Sequence, residues 1–333
     1  MKEGNMNAIV ANGYGNYKVL EYKSVKKPTL KSNEVLVEVF VSSATRADTM
    51  MLTGTPYIGR LFTGLTKPKD PIPGTGFSGV ISAIGSDVTK FNIGDKVFGE
   101  TTLGFSTNAE FVSLPEDGVI LHKPENLPHI EAASYCDGAL TSINFLKEVS
   151  TVKPGDKVLI NGASGSLGTA AVQIAKIMGA EVTGVCSSSN LGLVKSLGAD
   201  FVIDYKKQDF TETDDTYDII YDTVGKSNFS KAKKVLTKDG LYISPVLKFS
   251  LLLQMMWTSV FGSKKAKFNA SGLKTDDELK SLLKALITWY KEGKLKMIVD
   301  RQFPLEKVAE AHQYIAQGHK KGNVVIVNSN QLN

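Results

Sequence analysis

In the stretch VLINGASGSLGTAAVQIAKIMGAEVTGVCSSS, Val158 to Ser189, a turn of Gly162, Ala163, Ser164, Gly165, Ser166, Leu167 and Gly168 is small enough for a helix to start almost against the strand before it. Backbone N–H groups then point outward at a helix N-terminus. Unpaired donors at the positive end of a helix dipole suit a pyrophosphate, which is the chemistry of a dinucleotide fingerprint. A turn of small residues alone is a weak signal and needs a strand before it and a helix after it. NAD-preferring sites place Asp or Glu about twenty residues after the first glycine, on the adenosine ribose 2′-hydroxyl. Here that region reads Cys186, Ser187, Ser188, Ser189, Asn190. An acid would repel a 2′-phosphate, whereas hydroxyls and an amide donate hydrogen bonds to it, so NADPH is expected over NADH. No arginine lies in the run; Lys206, Lys207, Lys320 and Lys321 are the candidates to supply positive charge from elsewhere.

The elements around the turn have the required form. Val158 to Asn161 is an apolar run of strand length, Thr169 to Met178 carries apolar residues at helical spacing, and Gly179 stops the helix. Three more apolar runs follow, FVIDY from Phe201, YDIIYDTVG from Tyr217 and GLYISPV from Gly240, with NLGLVKSLGAD and SNFSKAKKVLTKDG as intervening helices. Strands alternating with helices predict a parallel, doubly wound sheet. From Ala8 to Val112 the pattern differs: short alternating runs between Gly, Pro and Asn turns predict an all-β barrel or sandwich. The composition changes near Pro124 to Pro128. After Phe268 come a long helix, TDDELKSLLKALITWYKEGKL, and a strand, GNVVIVN.

At 333 residues and 42% hydrophobic content the chain has material for two cores. A net charge of +5 with scattered lysines argues against nucleic acid, and SKKAKF, Ser263 to Phe268, is expected to be a solvated loop. Two cysteines, Cys136 and Cys186, build neither a disulfide framework nor a four-cysteine metal site and are expected as buried thiols. His122, His129, His312 and His319 are dispersed and are expected at the surface or satisfied. The N-terminal residues show no apolar targeting core, which gives a cytoplasmic expectation. FSLLLQMMWTSVFG, Phe249 to Gly262, is the most apolar stretch but too short to span a bilayer, so no stable membrane insertion is expected. A core or dimer-facing helix, a wall at a substrate mouth and a weak membrane contact all remain open for it.

The segments PGTGFSGVISAIGSDVTKFNIGDKVFG, GALTSINFL, VKPGDKVLINGASGSLGTAAVQIAK, LGADFVIDY, YDIIYDTVG and FPLEKVAEAHQYIAQGHKKGNVVI, in this order, resemble the zinc-free quinone oxidoreductases of the medium-chain dehydrogenase/reductase superfamily, nearly end to end. The resemblance implies an α/β plus β fold: a chaperonin-10-like, partly open β-barrel catalytic domain, residues 1–127 and 267–333, with an inserted Rossmann NADP-binding domain, residues 128–266. It also implies a homodimer paired through the edge of the Rossmann sheet. Zinc alcohol dehydrogenases of the superfamily take their catalytic metal on a cysteine and a His-Glu pair whose places here hold Thr45, and Thr75 with Gly76. No zinc is therefore expected, since catalytic zinc needs about three N, S or carboxylate ligands.

By the same resemblance Thr141 lies on the nicotinamide side, and Ala163, Ser164, Gly165, Ser166, Leu167 and Gly168 lie at the pyrophosphate. Ser187, Ser188 and Asn190 lie near the adenosine phosphate, and Tyr205 beside its ribose. Val224 and Gly225 belong to the crevice loop, and Lys321 is a phosphate partner or a solvated lysine. Related reductases often carry Asn, Asp and Tyr where this chain has Thr45, Asp48 and Met50, which leaves Thr45, Asp48 and nearby Tyr57 as catalytic candidates. Without a Lewis acid on the carbonyl, the expected substrate is a small hydrophobic quinone or α,β-unsaturated carbonyl, whose accepted charge spreads to a distant oxygen. The alternative is an NADPH-binding protein whose catalysis is lost or incidental.

Overall fold

The computed structural model describes residues 4–55, 57 and 60–328. Along the chain come β1 (Asn5–Ala11), β2 (Leu20–Lys26), β3 (Glu34–Ala44), the helices α1 (Arg46–Thr53) and α2 (Arg60–Thr63), β4 (Gly76–Ile84), β5 (Lys96–Glu100), β6 (Phe111–Pro115), β7 (Val119–His122) and α3 (His129–Ser134). There follow α4 (Leu140–Ile143), β8 (Lys157–Asn161), α5 (Ser166–Ile177), β9 (Glu181–Cys186), α6 (Leu191–Ser196), β10 (Phe201–Asp204), β11 (Tyr217–Asp222), α7 (Phe229–Ala232), β12 (Leu236–Ser244), α8 (Phe249–Val260) and β13 (Lys265–Phe268). The chain closes with α9 (Asp276–Lys291), β14 (Val299–Pro304), α10 (Val308–Ala316) and β15 (Asn323–Val327).

These elements divide into two compact units: Met1–Asp137 with Lys274–Leu283 and Val299–Asn333, and Gly138–Leu273 with Lys284–Ile298. In the first, a seven-stranded sheet runs β14-β15-β3-β4-β5-β7, with β6 also on β3. Alternation along β3 turns Val35, Val37 and Val39 inward onto Phe77, Ile81, Val97 and Val112, each fully buried aliphatic contributing roughly 1.5–3 kcal/mol. The returning tail is real: β15 pairs antiparallel with β3, Val324 opposite Ala44 and Val327 opposite Val41.

The second unit is a parallel six-stranded sheet in the order β10-β9-β8-β11-β12-β13, the doubly wound nucleotide-binding arrangement with its switch point between β8 and β11. The central runs Val158–Ile160 of β8 and Ile219–Tyr221 of β11 are apolar and buried because helices cover both faces of the sheet. Three local differences from the sequence expectation stand out. The helix expected from Thr169 begins at Ser166, because the small turn needs no further residues to reverse the chain. Residues Ser227–Gly240, expected as a helix, hold only the short α7 and a 3₁₀ turn, Lys233–Val235, before β12 begins at Leu236. The expected loop Ser263–Phe268 contains β13, the sixth parallel strand: Ala266 is buried and Phe268 packs on the same core, while Lys267 stays exposed, the pattern of an edge strand.

The unit boundaries also depart from the expected 127/128 and 266/267. α3 packs on β3, β4 and β15 and so stays with the first sheet. Residues 284–298 go with the second unit, where Gln173 both donates to Lys296 O (2.9 Å) and accepts from Lys296 N (3.1 Å).

Candidate functional site

In the second unit the turn Gly162–Gly168 joins β8 to α5. Gly162 has φ +83, and a Cβ there would lie 2.2 Å from Val224 Cγ2, so the loop after β11 closes directly on the turn. A Cβ at Gly168 would lie 2.1 Å from Gly162 O, so only glycine lets α5 start this near β8. Ala163 is fully buried and its N–H is bonded to Val185 O (2.9 Å), which gives it a packing role and no donor to offer. The N-cap of α5, Gly165, has no side-chain cap, and the amides of Leu167 and Gly168 have no partner inside the helix because a first turn has none. A Cβ at Gly165 would meet only Gly162 O at 3.6 Å, leaving an open side. An uncapped, open helix N-terminus fits a pyrophosphate by hydrogen bonding and by dipole.

The other expected cofactor residues of this unit gather at the carboxyl ends of the same strands. Ser142 in α4 donates to Leu167 O (2.9 Å), which holds the half-buried Thr141 beside the turn. After β9, Asn190 Nδ2 donates to Ser164 Oγ (3.0 Å), and Ser187 and Ser189 share a hydroxyl contact of 3.2 Å. Tyr205 follows β10, half exposed, its N–H on Cys186 O (3.1 Å). Lys321 belongs to the first unit, where it is exposed and its N–H donates to Asp300 Oδ2 (2.9 Å).

Two groups here escaped the sequence reading. Ser188 donates to Asp204 Oδ2 at 2.5 Å, and that bond, with the nearby Lys206 amide and the Lys207 and Lys206 charges, holds the Asp204 carboxyl below its ordinary range. An acid therefore does stand at the adenosine end, delivered by the neighbouring strand: Asp204 is in register with Cys186. The exposed Lys206 and Lys207 beside it oppose its charge. The second is Asp222, fully buried at the end of β11. Its two oxygens accept from Asn161 Nδ2 (2.9 Å), Gly225 N (2.9 Å), Ser227 N (3.0 Å) and Tyr242 OH (2.8 Å), and so set the Val224–Gly225 loop.

In the first unit, Thr45 and Asp48 form a capping box at α1. Thr45 N donates to Asp48 Oδ2 (2.7 Å) and Asp48 N to Thr45 Oγ1 (3.0 Å). Asp48 is wholly buried with Oδ1 unpartnered among the described residues. Burial pushes its carboxyl up to about 7, with the charge of Asp137 adding to the effect. Glu100, at the end of β5, is pushed up to about 8 by burial and by Asp137 and Asp48. Asp137 lies in a π-helical turn, Tyr135–Ala139, a distortion common at functional sites. Burial lowers the pKa of Lys320, which feels Asp137, Asp300 and Arg46. Tyr57 stands apart from this cluster, 72% exposed, with the Arg60 guanidinium 4.8 Å from its ring centroid. A side chain at Gly76 would meet Ser43 Oγ at 2.7 Å and Cys136 Cβ at 3.1 Å, so no metal ligand projects from there. Both cysteines are buried, as expected.

Of the histidines, His122 shares a 3.1 Å contact with Asp95 and His129 one of 2.8 Å with Ser78. His312 departs from expectation: it is buried, touches Thr49 Oγ1 at 3.3 Å, and keeps Nε2 unpartnered among the described residues. Burial lowers it to about 4, so it is neutral. Next to α1, Met51, Thr63, Pro68, Asp70, Leu103 and Phe105 line a small pocket of about 30 Å³. The loop that carries Leu103 and Phe105 holds Thr102, Phe105 and Ser106 at φ 50, 49 and 75, left-handed values that store about 1–2 kcal/mol each in non-glycine residues. Strain of this kind persists at sites where the shape of a loop matters.

Comparison with known proteins agrees with both units. The alcohol dehydrogenase GroES-like domain matches residues 31–125, and the zinc-binding dehydrogenase domain matches residues 197–326. The mitochondrial NAD(P)H oxidoreductase RTN4IP1 of Bos taurus is 33% identical over 96% of this chain and 89% of its own length. The chloroplast envelope quinone oxidoreductase homolog of Arabidopsis thaliana is 30% identical over 96% and 98%. The solved quinone oxidoreductase of Coxiella burnetii superposes with a TM-score of 0.86 at 29% identity, covering 97% of this chain and 99% of that one.

Proposed function

The chain belongs to the quinone oxidoreductases of the medium-chain dehydrogenase/reductase superfamily, and from that membership we propose a zinc-independent reductase that uses NADPH to reduce a hydrophobic quinone or α,β-unsaturated carbonyl. The observation that carries the reading is the open, uncapped N-terminus of α5 facing the Val224–Gly225 loop at the sheet's switch point. Leu167 and Gly168 would hold the pyrophosphate, Thr141 the nicotinamide end, and Ser187 and Asn190 the adenosine phosphate, with Ser188 turned onto Asp204 and Lys206 and Lys207 opposing that charge. The bound nicotinamide supplies hydride.

The chain's own residues then have three tasks. Met51, Leu103 and Phe105 offer apolar surface beside α1. Thr45 is buried, and its Oγ1 accepts from Asp48 N–H while its side chain also bonds the Asp48 carboxyl, so it fixes that carboxyl at the start of α1. Glu100 is held protonated at neutral pH by burial and by the two neighbouring carboxylates, and it is the acid suited to return a proton. Thr45, Thr75 and Gly76 supply no nitrogen, sulfur or carboxylate donor, which supports the zinc-independent reading.

The test is steady-state oxidation of NADPH and NADH side by side with a panel of quinones and enones, with and without a chelator, for the wild type and Ser188→Asp. The expected result is chelator-insensitive turnover with the lower KM for NADPH, and a Ser188→Asp enzyme that loses NADPH affinity by about tenfold or more through charge repulsion while keeping NADH. Chelator-sensitive turnover refutes zinc independence. Tight NADPH binding without turnover would instead support a nucleotide-binding role.

A further inference from the structure

Helix α8 is apolar on the wrong side. Leu251 and Thr258 are buried and Met255 packs on the core, so one face is inward. The opposite stripe, Phe249, Leu253, Met256, Trp257 and Val260, runs at the i, i+4, i+7, i+8, i+11 spacing of one helical face, where a surface helix ordinarily carries charge. Met256 is 71% exposed, Trp257 66% and Val260 73%, and Phe261, its ring tilted against Trp257 with centroids 4.6 Å apart, extends the patch.

The charge around this stripe is as one-sided as its apolarity. From Lys226 to Lys267 there are nine lysines and one acid, Asp239, a net +8 in a chain whose total is +5. The rest of the protein is therefore net acidic. These lysines flank the helix in space. Gln254 Nε2 donates to Ser230 Oγ (3.0 Å) and Lys264 Nζ to Lys233 O (2.7 Å), and Ser263 Oγ bonds Lys238 O, so the exposed Lys231, Lys233, Lys234 and Lys238 border α8.

From this we infer that α8 and its lysine border form a docking surface for an anionic lipid bilayer. Trp, Phe, Met and Val side chains enter the headgroup region while the lysines engage lipid phosphates. This is the composition of a helix lying in a membrane interface, with each basic residue near an anionic leaflet favouring attachment. Among the described residues no helix is long and apolar enough to cross a membrane, so attachment is peripheral and reversible. A second copy is the less fitting occupant: a two-fold contact would set each lysine border against its own image. The inference stands on this unit's surface alone and does not depend on the reaction proposed above.

The experiment compares vesicles of phosphatidylcholine alone with vesicles of about 3:1 phosphatidylcholine to phosphatidylglycerol, using the full chain. Binding is read by co-sedimentation and by Trp257 emission in a Trp289→Phe background. Expected are binding to anionic vesicles about tenfold tighter than to neutral ones, weakening with salt, and a blue shift of Trp257. The variant with Lys231→Glu, Lys233→Glu and Lys234→Glu should lose this preference, and Met256→Ser with Val260→Ser should lose the binding, both with unchanged circular dichroism. Equal binding to both vesicles, or no shift of Trp257 on the native chain, overturns the inference. So does absence of vesicle binding together with a dimer, seen by sedimentation velocity, that the Met256→Ser, Val260→Ser variant dissolves.

Discussion

Replacing Asp48 by Asn should change how the first unit's stability depends on pH. The carboxyl is wholly buried, one oxygen accepts from Thr45 N–H and the other has no hydrogen-bond partner among the described residues, and burial raises it from an ordinary 3.8 to about 7. Since the folded value lies above the unfolded one, the folded chain holds the proton more tightly. The contribution is therefore fully present below about pH 4 and is lost as pH rises through about 7. Between pH 5 and pH 8 the loss covers some two pKa units, or about 3 kcal/mol at 1.36 kcal/mol per unit. Asn keeps an oxygen for Thr45 N–H and carries no charge, so that loss disappears. Removing the charge also relieves Glu100, which adds to the variant's advantage at high pH.

A chain of two units need not unfold in one step, and both tryptophans, Trp257 and Trp289, belong to the second unit. The assay is therefore amide hydrogen exchange of paired β3 and β4 residues such as Val39 and Phe77, which reports opening of the first unit. From pH 5 to pH 8 the opening free energy of Asp48→Asn should gain about 3 kcal/mol relative to wild type. Parallel pH profiles for the two proteins would refute the buried-charge argument.

Two further outcomes test the geometry. Asp222→Ala leaves Asn161, Gly225, Ser227 and Tyr242 without an acceptor in a buried place, at about 1–3 kcal/mol for each stranded donor. NADPH affinity, read by fluorescence titration, should fall at least about tenfold, and unchanged affinity would show that the loop does not contribute to binding. Ser106→Gly relieves a φ of 75 and should stabilise the first unit by about 1 kcal/mol in the same exchange assay, while lowering activity if the strained loop shapes the pocket. Equal activity would separate strain from function.

The second unit was largely legible in the sequence because its signals are local. A strand, a turn of small residues and a helix must be contiguous to bring amides to an anion, so Val158–Ile177 announces itself, and the alternation of later apolar runs with helices specifies a parallel sheet. β13 was not legible: four residues with two lysines read as solvated until a neighbouring strand supplies the ladder and a core receives Ala266. The returning tail likewise came through resemblance, since nothing in GNVVIVN names β3 as its partner.

Residue types and order by themselves determined the parallel-sheet unit and the strand–turn–helix at Gly162–Gly168. Tertiary structure alone decided that Asp204 touches Ser188, that Asp222 holds the loop after β11, that the buried Asp48 and the half-buried Glu100 both feel the charge of Asp137, and that α8 turns its apolar stripe outward. The physical reason is range. Turn and helix signals act over a few residues, whereas a carboxylate's pKa and a helix's free face depend on burial and neighbouring charge, which segments far apart in the chain create only when they pack.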